Sequence, residues 1–256
     1  MTDDLFRLDG RVAVVTGGGR GIGFMAAEGL VRAGATVVIA SRDGDACRHA
    51  AEQLSRLGTA VALRADLSAA DDRQRLADEV SARWSRLDIL LNNAGTAWGA
   101  PFDDFPERGW DKVMDINLKA PFFIAQTFAD LLTASASASS PSRIINIGSI
   151  DGIRPPRLQN YSYAASKAGL HQLTRMLAVD LAPRRITVNA IAPGFFESKM
   201  TAATFDQQGD EFLEACPLGR FGSADDIAGI VVYLASRAST YVTGTVIPVD
   251  GGLSLV

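Results

Sequence analysis

The sequence predicts a doubly wound α/β fold, a sheet of about seven parallel strands with helices on both faces, built as a single domain. Three observations carry this. Short apolar runs rich in β-branched residues alternate with longer helical patterns from end to end. A glycine-rich turn joins the first run to an apolar helix. A chain of 256 residues is long enough for one large core of this class and short for two.

Taken in order, residues 11–16 (RVAVVT) read as a buried strand, followed by the glycine turn and a helix near 22–33. Residues 36–40 (TVVIA) are the next strand, then a helix near 45–57 and strand 60–64. A cap signal at Asp66-Leu-Ser68 opens a helix over about 69–86, and strand 87–91 follows. After a loop holding Gly99, Pro101 and Pro106, one long helix spans about 110–132. Strand 143–147, a helix over about 163–181, strand 186–191 and a last strand at 245–249 complete the series. Parallel crossovers of this kind need helices and are right-handed, so the result is a Rossmann-like sheet. Two segments break the alternation. Residues 134–142 (ASASASSPS) are too small and polar to pack and read as a solvated connection. Residues 193–222 form a long excursion rich in Phe195, Phe196, Met200, Phe205 and Phe212, a length typical of a lid or binding loop.

Composition narrows the chemistry. With 47% hydrophobic and 21% charged residues and a net charge of −4, there is no basic face for nucleic acid or anionic lipid. No apolar run approaches the roughly 20 residues of a membrane span, and the start MTDDLFRLDG lacks the pattern of a signal peptide, so a cytoplasmic location is expected. The two histidines (His49, His171) and two cysteines (Cys47, Cys216) fit no zinc or disulfide spacing, so no metal site is expected. Lysines are few: Lys112, Lys119, Lys167 and Lys199 in a chain that otherwise uses arginine.

Thr16-Gly17-Gly18-Gly19-Arg20-Gly21-Ile22-Gly23 lies between strand and helix, where a backbone can approach a pyrophosphate and present free helix N–H groups to it. NAD readers place an acidic side chain at the end of the second strand; here the positions read Ala40-Ser41-Arg42, with Arg20 in the glycine loop. Two guanidiniums favour a 2′-phosphate and therefore NADP (NADPH). NAD remains the less favoured alternative, in which Asp43 reaches the ribose.

Tyr163 and Lys167 lie four apart on a predicted helix and share a face. An ammonium near a phenol favours its ionised form, by roughly 4 kcal/mol for charges about 4 Å apart, so Tyr163 can exchange a proton with a carbonyl oxygen during hydride transfer. Ser149, at the end of the fifth strand, can donate to the developing alkoxide, and Asn117 on the long helix can hold a water beside Lys167.

These motifs, TGGGRGIG at 16–23, Asp66-Leu67, Asn92-Asn93-Ala94-Gly95, Asn117, Ser149, Tyr163 with Lys167, and Pro193-Gly194, resemble the short-chain dehydrogenase/reductase family over essentially the whole chain. The resemblance implies a catalytic tetrad of Asn117, Ser149, Tyr163 and Lys167. It also implies that Asp66 with Leu67 holds the adenine amine, that Asn93, Ala94 and Gly95 flank the adenine ribose, and that residues 191–194 with Phe196 and Ser198 enclose the nicotinamide. Homotetramers are implied as well. Within the family the chain is most similar to 3-oxoacyl reductases, including the rhamnolipid-associated type, through Ser149-Ile-Asp-Gly152 and Tyr161-Ser-Tyr163. For an acyl carrier protein, Arg184 and Arg185 are the basic candidates, against their plainer reading as a charged helix end.

Asp151, Phe195, Met200 and Trp98, with Ser149, are expected to line the substrate pocket, and the lid aromatics suit an apolar substrate portion unless they pack lid onto body. The favoured function is NADPH-dependent reduction of a ketone or 3-oxoacyl compound to a secondary alcohol. The alternatives are an NAD-dependent alcohol or sugar dehydrogenase, separated by the effect of Arg42→Ala on cofactor preference, and a non-catalytic nucleotide sensor, separated by turnover on a ketone panel.

Overall fold

In the computed structural model, which describes residues 3–156, 158–196 and 211–256, the sheet grows in both directions from β1 (Val12–Thr16). β2 (Thr36–Ser41) and β3 (Ala60–Arg64) lie to one side. On the other side lie β4 (Ile89–Asn92), β5 (Ser142–Ile147), β6 (Ile186–Pro193) and β7 (Val246–Val249). The order is β3-β2-β1-β4-β5-β6-β7 and every pairing is parallel. Strand order reverses between β1 and β4, which opens a crevice beyond their carboxyl ends.

Both faces are covered, which is why the strands read as continuous apolar runs. Val15, Ile39 and Leu91 face a core closed by α1 (Gly21–Arg32), α2 (Gly44–Leu54) and α7 (Ala224–Ala235). Their neighbours Val14, Val38 and Leu90 point the opposite way, toward α3 (Ala70–Trp84), α5 (Ala120–Ser135) and α6 (Tyr161–Leu181).

The structure departs from the sequence expectations at four places. The long helix over 110–132 is two helices: α4 (Glu107–Met114) starts earlier, and a π-helical turn at Asp115–Lys119 separates it from α5. Such turns concentrate at functional sites, and this one carries Asn117. The expected cap at Asp66-Leu-Ser68 is not one. Asp66 bonds the Ser68 N–H and hydroxyl instead, while Asp72 in the first turn of α3 reaches back to the Asp66 N–H at 2.7 Å. The helix α7 had no counterpart in the reading, although Ser223 and Asp226 form a reciprocal capping box before an apolar run. The expected loop at 134–142 is shorter, because α5 continues to Ser135 and β5 begins at Ser142.

Pro193 ends β6, and an isolated parallel bridge between Phe196 and Gly222 closes the base of the excursion at 193–222. Met200, Ser198 and Phe205 lie outside the described residues. Among the described residues no helix is long and apolar enough to cross a membrane.

Candidate active site

The glycine turn after β1 has the conformation that a close-approaching ligand needs. Gly17 has φ +66°, and a Cβ there would stand 2.9 Å from the Ala94 Cα. At Gly23 a Cβ would fall 2.3 Å from the Asn93 amide nitrogen and 2.5 Å from the Gly17 oxygen. Asn93 explains this crowding, since its side chain donates to the main-chain oxygens of Thr16 and Gly17 at 3.0 and 3.1 Å. Thr16 Oγ1 in turn accepts from the N–H groups of Asn93 and Ala94. The loop after β4 is thereby clamped onto the glycine turn. At the amino-terminus of α1, the capping residue Arg20 makes no side-chain cap hydrogen bond. The first-turn N–H groups, at Gly21, Ile22 and Gly23, therefore lack a side-chain acceptor and suit an anionic one. A dinucleotide pyrophosphate fits this cradle.

The adenosine end is equally informative. Asp43, the acidic candidate for a ribose, caps α2 by accepting from the Ala46 N–H at 3.1 Å. Arg20, at the start of α1, and Arg42, next to Ser41, are both exposed, and the Ser41 hydroxyl accepts from the Asp43 N–H. A carboxylate committed to a helix cap and two available guanidiniums fit a 2′-phosphate better than a free 2′-hydroxyl. Asp66 is half-buried at the end of β3, its carboxylate folded onto Ser68.

Three elements bring the expected tetrad together: the π turn with Asn117, the turn just after β5 with Ser149, and α6 with Tyr163 and Lys167. Lys167 is buried, and its ammonium donates to the Ile147 carbonyl at 2.7 Å, tying α6 to β5. It lies 5.5 Å from the centre of the Tyr163 ring. Burial lowers the Lys167 ammonium to about 8, partly offset by the Asp151 charge. The Tyr163 phenol is pushed up to about 12 by burial and then by Asp151, with a hydrogen bond from Ser149 acting the other way. The lowering expected from Lys167 is therefore not what the site shows: burial and the Asp151 charge raise the phenol instead.

Asn117 is wholly buried and its amide is fully engaged. Its oxygen accepts from the Thr96 N–H, and its nitrogen donates to the Thr96 oxygen and the Ser166 hydroxyl. The side chain therefore fixes the loop after Gly95 to α6, which leaves the main chain of the π turn as the part that can hold a water. Ser149 Oγ accepts from the Asp151 N–H at 3.1 Å, so its own proton is directed elsewhere.

A family model described as Enoyl-(Acyl carrier protein) reductase matches residues 17–254. The chain belongs to the short-chain dehydrogenase/reductase family. It is 48% identical over 252 residues to the rhamnolipids biosynthesis 3-oxoacyl-[acyl-carrier-protein] reductase of Pseudomonas aeruginosa, with 98% of each chain covered. The solved Pseudomonas aeruginosa RhlG/NADP active-site complex superposes with TM-score 0.95 at 47% identity, covering 98% of this chain and 99% of that one. A gluconate 5-dehydrogenase from Burkholderia cenocepacia J2315, in complex with NADP and tartrate, superposes with TM-score 0.92 at 36% identity over the full length of both.

For this short-chain dehydrogenase/reductase the pocket candidates separate. Asp151 bonds Ser149 through its N–H, and Phe195 packs against a buried cluster of Ile150, Cys216 and Leu253, its ring centre 4.0 Å from that of Phe212. Trp98 is directed elsewhere. Its ring covers Gly109 on α4, with Arg108 and Lys112 each 5.8 Å from its centre. Phe196 is buried in the core against Gly222, so what it offers the crevice is main chain. Pro193 and Gly194 end β6 beside Asp250.

The sequence places Thr16 at the head of the glycine turn without a role of its own, and assigns none to Ser166 or Asn160. Ser166 hands the Tyr163 carbonyl a hydrogen bond at 2.7 Å while accepting from Asn117. Asn160 precedes α6 and binds Asp151 at 3.0 Å. Only Asn160 had a signal, as a cap-type residue directly before a helical pattern.

Proposed function

We propose that this enzyme is an NADPH-dependent reductase converting a ketone or 3-oxoacyl compound to a secondary alcohol. The observation that carries it is the juxtaposition of Tyr163 with Ser149 and buried Lys167, in a fold whose glycine turn opens α1 at Arg20 and whose exposed Arg42 follows β2. Bound NADPH would supply the hydride. Gly17, Gly19, Gly21, Ile22 and Gly23 would hold the pyrophosphate, Arg20, Ser41 and Arg42 the 2′-phosphate, Asp66 and Leu67 the adenine, and Asn93 to Gly95 its ribose. Pro193, Gly194 and Phe196 would flank the nicotinamide.

The chain's own groups divide the chemistry. Ser149 uses its lone pair on the Asp151 N–H and aims its proton at the carbonyl oxygen, stabilising negative charge as it develops. Tyr163 delivers the proton that makes the alcohol. Lys167, at about 8, is close enough to its titration at neutral pH to return a proton to the phenolate. Asn117 holds the π turn so that a water can connect Lys167 to solvent. The apolar wall of Ile150, Phe195 and Leu253 supports an apolar part of the substrate beside the carbonyl. The relatives named as 3-oxoacyl reductases support the same class.

The enzyme is read as a cytoplasmic homotetramer in which residues 193–222 act as a lid. Exposed apolar side chains at Met176, Val179 and Tyr241 support burial against other copies. Sugar-acid dehydrogenases among the relatives favour a second reading, oxidation of a polyol-type alcohol. The test is NADPH oxidation against a panel of 3-oxoacyl thioesters, cyclic ketones and keto-sugars. Turnover of the thioesters or ketones is the expected result; turnover of the keto-sugars alone selects the second reading.

A further inference from the structure

Directly after Ser149 the chain makes a short turn, Ile150–Gly152, that presents Asp151 toward α6. Asp151 grips both catalytic elements. Its main-chain N–H donates to Ser149 Oγ at 3.1 Å, and its carboxylate accepts from the Asn160 side chain at 3.0 Å. Asn160 is buried and stands at the amino-terminus of α6, three residues before Tyr163. Among the described residues the Asn160 amide oxygen is buried without a partner, so its side chain is tied down through the amide nitrogen's bond to Asp151.

We propose that Asp151 is a positioning residue of the reaction, strapping the Ser149 turn to α6 through Asn160 while its carboxylate charge faces the Tyr163 and Lys167 pair. The inference rests on the reading of Ser149 and Tyr163 given above.

Charge bookkeeping at the site is short. Arg154 faces Asp151 from its own turn, and Tyr163 and Lys167 face it from α6. His171, one turn beyond Lys167, has its ring against Gly148 and Gly152 and is kept neutral by burial, at about 4. Burial raises the Asp151 carboxyl, while Asn160, then Arg154 and Lys167, draw it down. An ionised Asp151 holds the proton on both Tyr163 and Lys167. It therefore favours the form of the site that donates a proton, and removing its charge makes the phenol easier to ionise.

The test combines a binding-free and a kinetic measurement. Ultraviolet phenolate titration of the protein, with Tyr163→Phe subtracted, reads the Tyr163 proton directly. In Asp151→Asn the Tyr163 titration should move down by about one pH unit, a tenfold change in proton affinity. With NADPH and a 3-oxobutanoyl thioester, the alkaline limb of kcat should move down in the same variant. Asp151→Glu should restore the limb while kcat stays low, because the charge returns on an arm of the wrong length. Asn160→Ala keeps the charge and cuts the strap, so kcat should fall about tenfold with KM for NADPH unchanged. Asp151→Ser serves as the chargeless variant if the amide does not fold. An unmoved titration in a folded chargeless variant, or wild-type kcat in Asn160→Ala, overturns the inference. Full turnover in Tyr163→Phe would instead overturn the reading on which it rests.

Discussion

Gly23→Ala is the sharpest test of the cradle, because two opposed effects meet at one methyl group. In an open helix the change should stabilise by about 1 kcal/mol, since alanine is the better helix former. At Gly23 the new Cβ would fall 2.3 Å from the Asn93 amide nitrogen and 2.5 Å from the Gly17 oxygen. Asn93 must then leave its bonds to the Thr16 and Gly17 carbonyls, each worth about 1 kcal/mol net. Overpacking adds about 1–3 kcal/mol. Steric loss therefore exceeds the propensity gain, leaving a net cost of about 2–4 kcal/mol. At about 2 °C per kcal/mol for a chain of this size, Tm should fall by about 4–8 °C. Because the displaced loop carries the residues proposed to flank the ribose, NADPH affinity should weaken at least tenfold, about 1.4 kcal/mol. Gly229→Ala supplies the control: it lies on α7 with nothing within 4 Å of the added methyl, and should raise Tm by about 2 °C. Thermal melts with and without NADPH, together with calorimetric binding, measure both. A Gly23→Ala protein that melts at or above wild type and binds NADPH normally would refute the clamp and the cradle together.

Tyr163→Phe should reduce ketone reduction by about 10²–10⁴-fold in an NADPH oxidation assay while leaving NADPH binding near wild type, and turnover within tenfold of wild type would contradict its role as the acid. Arg42→Ala should lower the preference for NADPH over NADH about tenfold, as read from kcat/KM with each cofactor. Asp43→Ala should leave that preference alone and cost about 1 kcal/mol of stability through the lost α2 cap; a swing toward NADPH in this variant would instead place Asp43 on the ribose. His171 contributes to acid sensitivity. Its folded value of about 4 lies below the unfolded 6.5, so the unfolded chain binds the extra proton and stability falls as pH drops from 6.5 to 4. The loss is about 3 kcal/mol, and His171→Gln should flatten that part of a urea midpoint against pH curve; an unchanged slope would show that the ring is not held neutral.

Much of this enzyme is legible in its sequence because the signals are local. Parallel strands buried on both faces must be apolar at successive positions, as Val14 and Val15 are, so the strands announce themselves. The spacing of Tyr163 and Lys167 is a property of one helix, and the glycine turn a property of one strand end. What stayed hidden depends on contacts between distant segments. The π turn at Asp115–Lys119 has no local marker; Asn117 is held there by Thr96 and by Ser166 across the crevice. The helix at Ala224–Ala235 is by contrast locally marked, by the capping box of Ser223 and Asp226 before an apolar run.

By itself, the sequence determined the sheet, the phosphate loop, the pairing of a phenol with an amine and the absence of an acidic residue at positions 40–42. Tertiary structure decided which side chains are left over for chemistry. Asp43 and Asn117 each look available in the sequence, yet both are committed, one to a helix cap and one to Thr96 and Ser166. It also set the direction in which the phenol shifts. A lysine four residues from a tyrosine suggests a lowered phenol, whereas burial and the Asp151 charge raise it. Burial and long-range neighbours set that balance, and no stretch of sequence contains either.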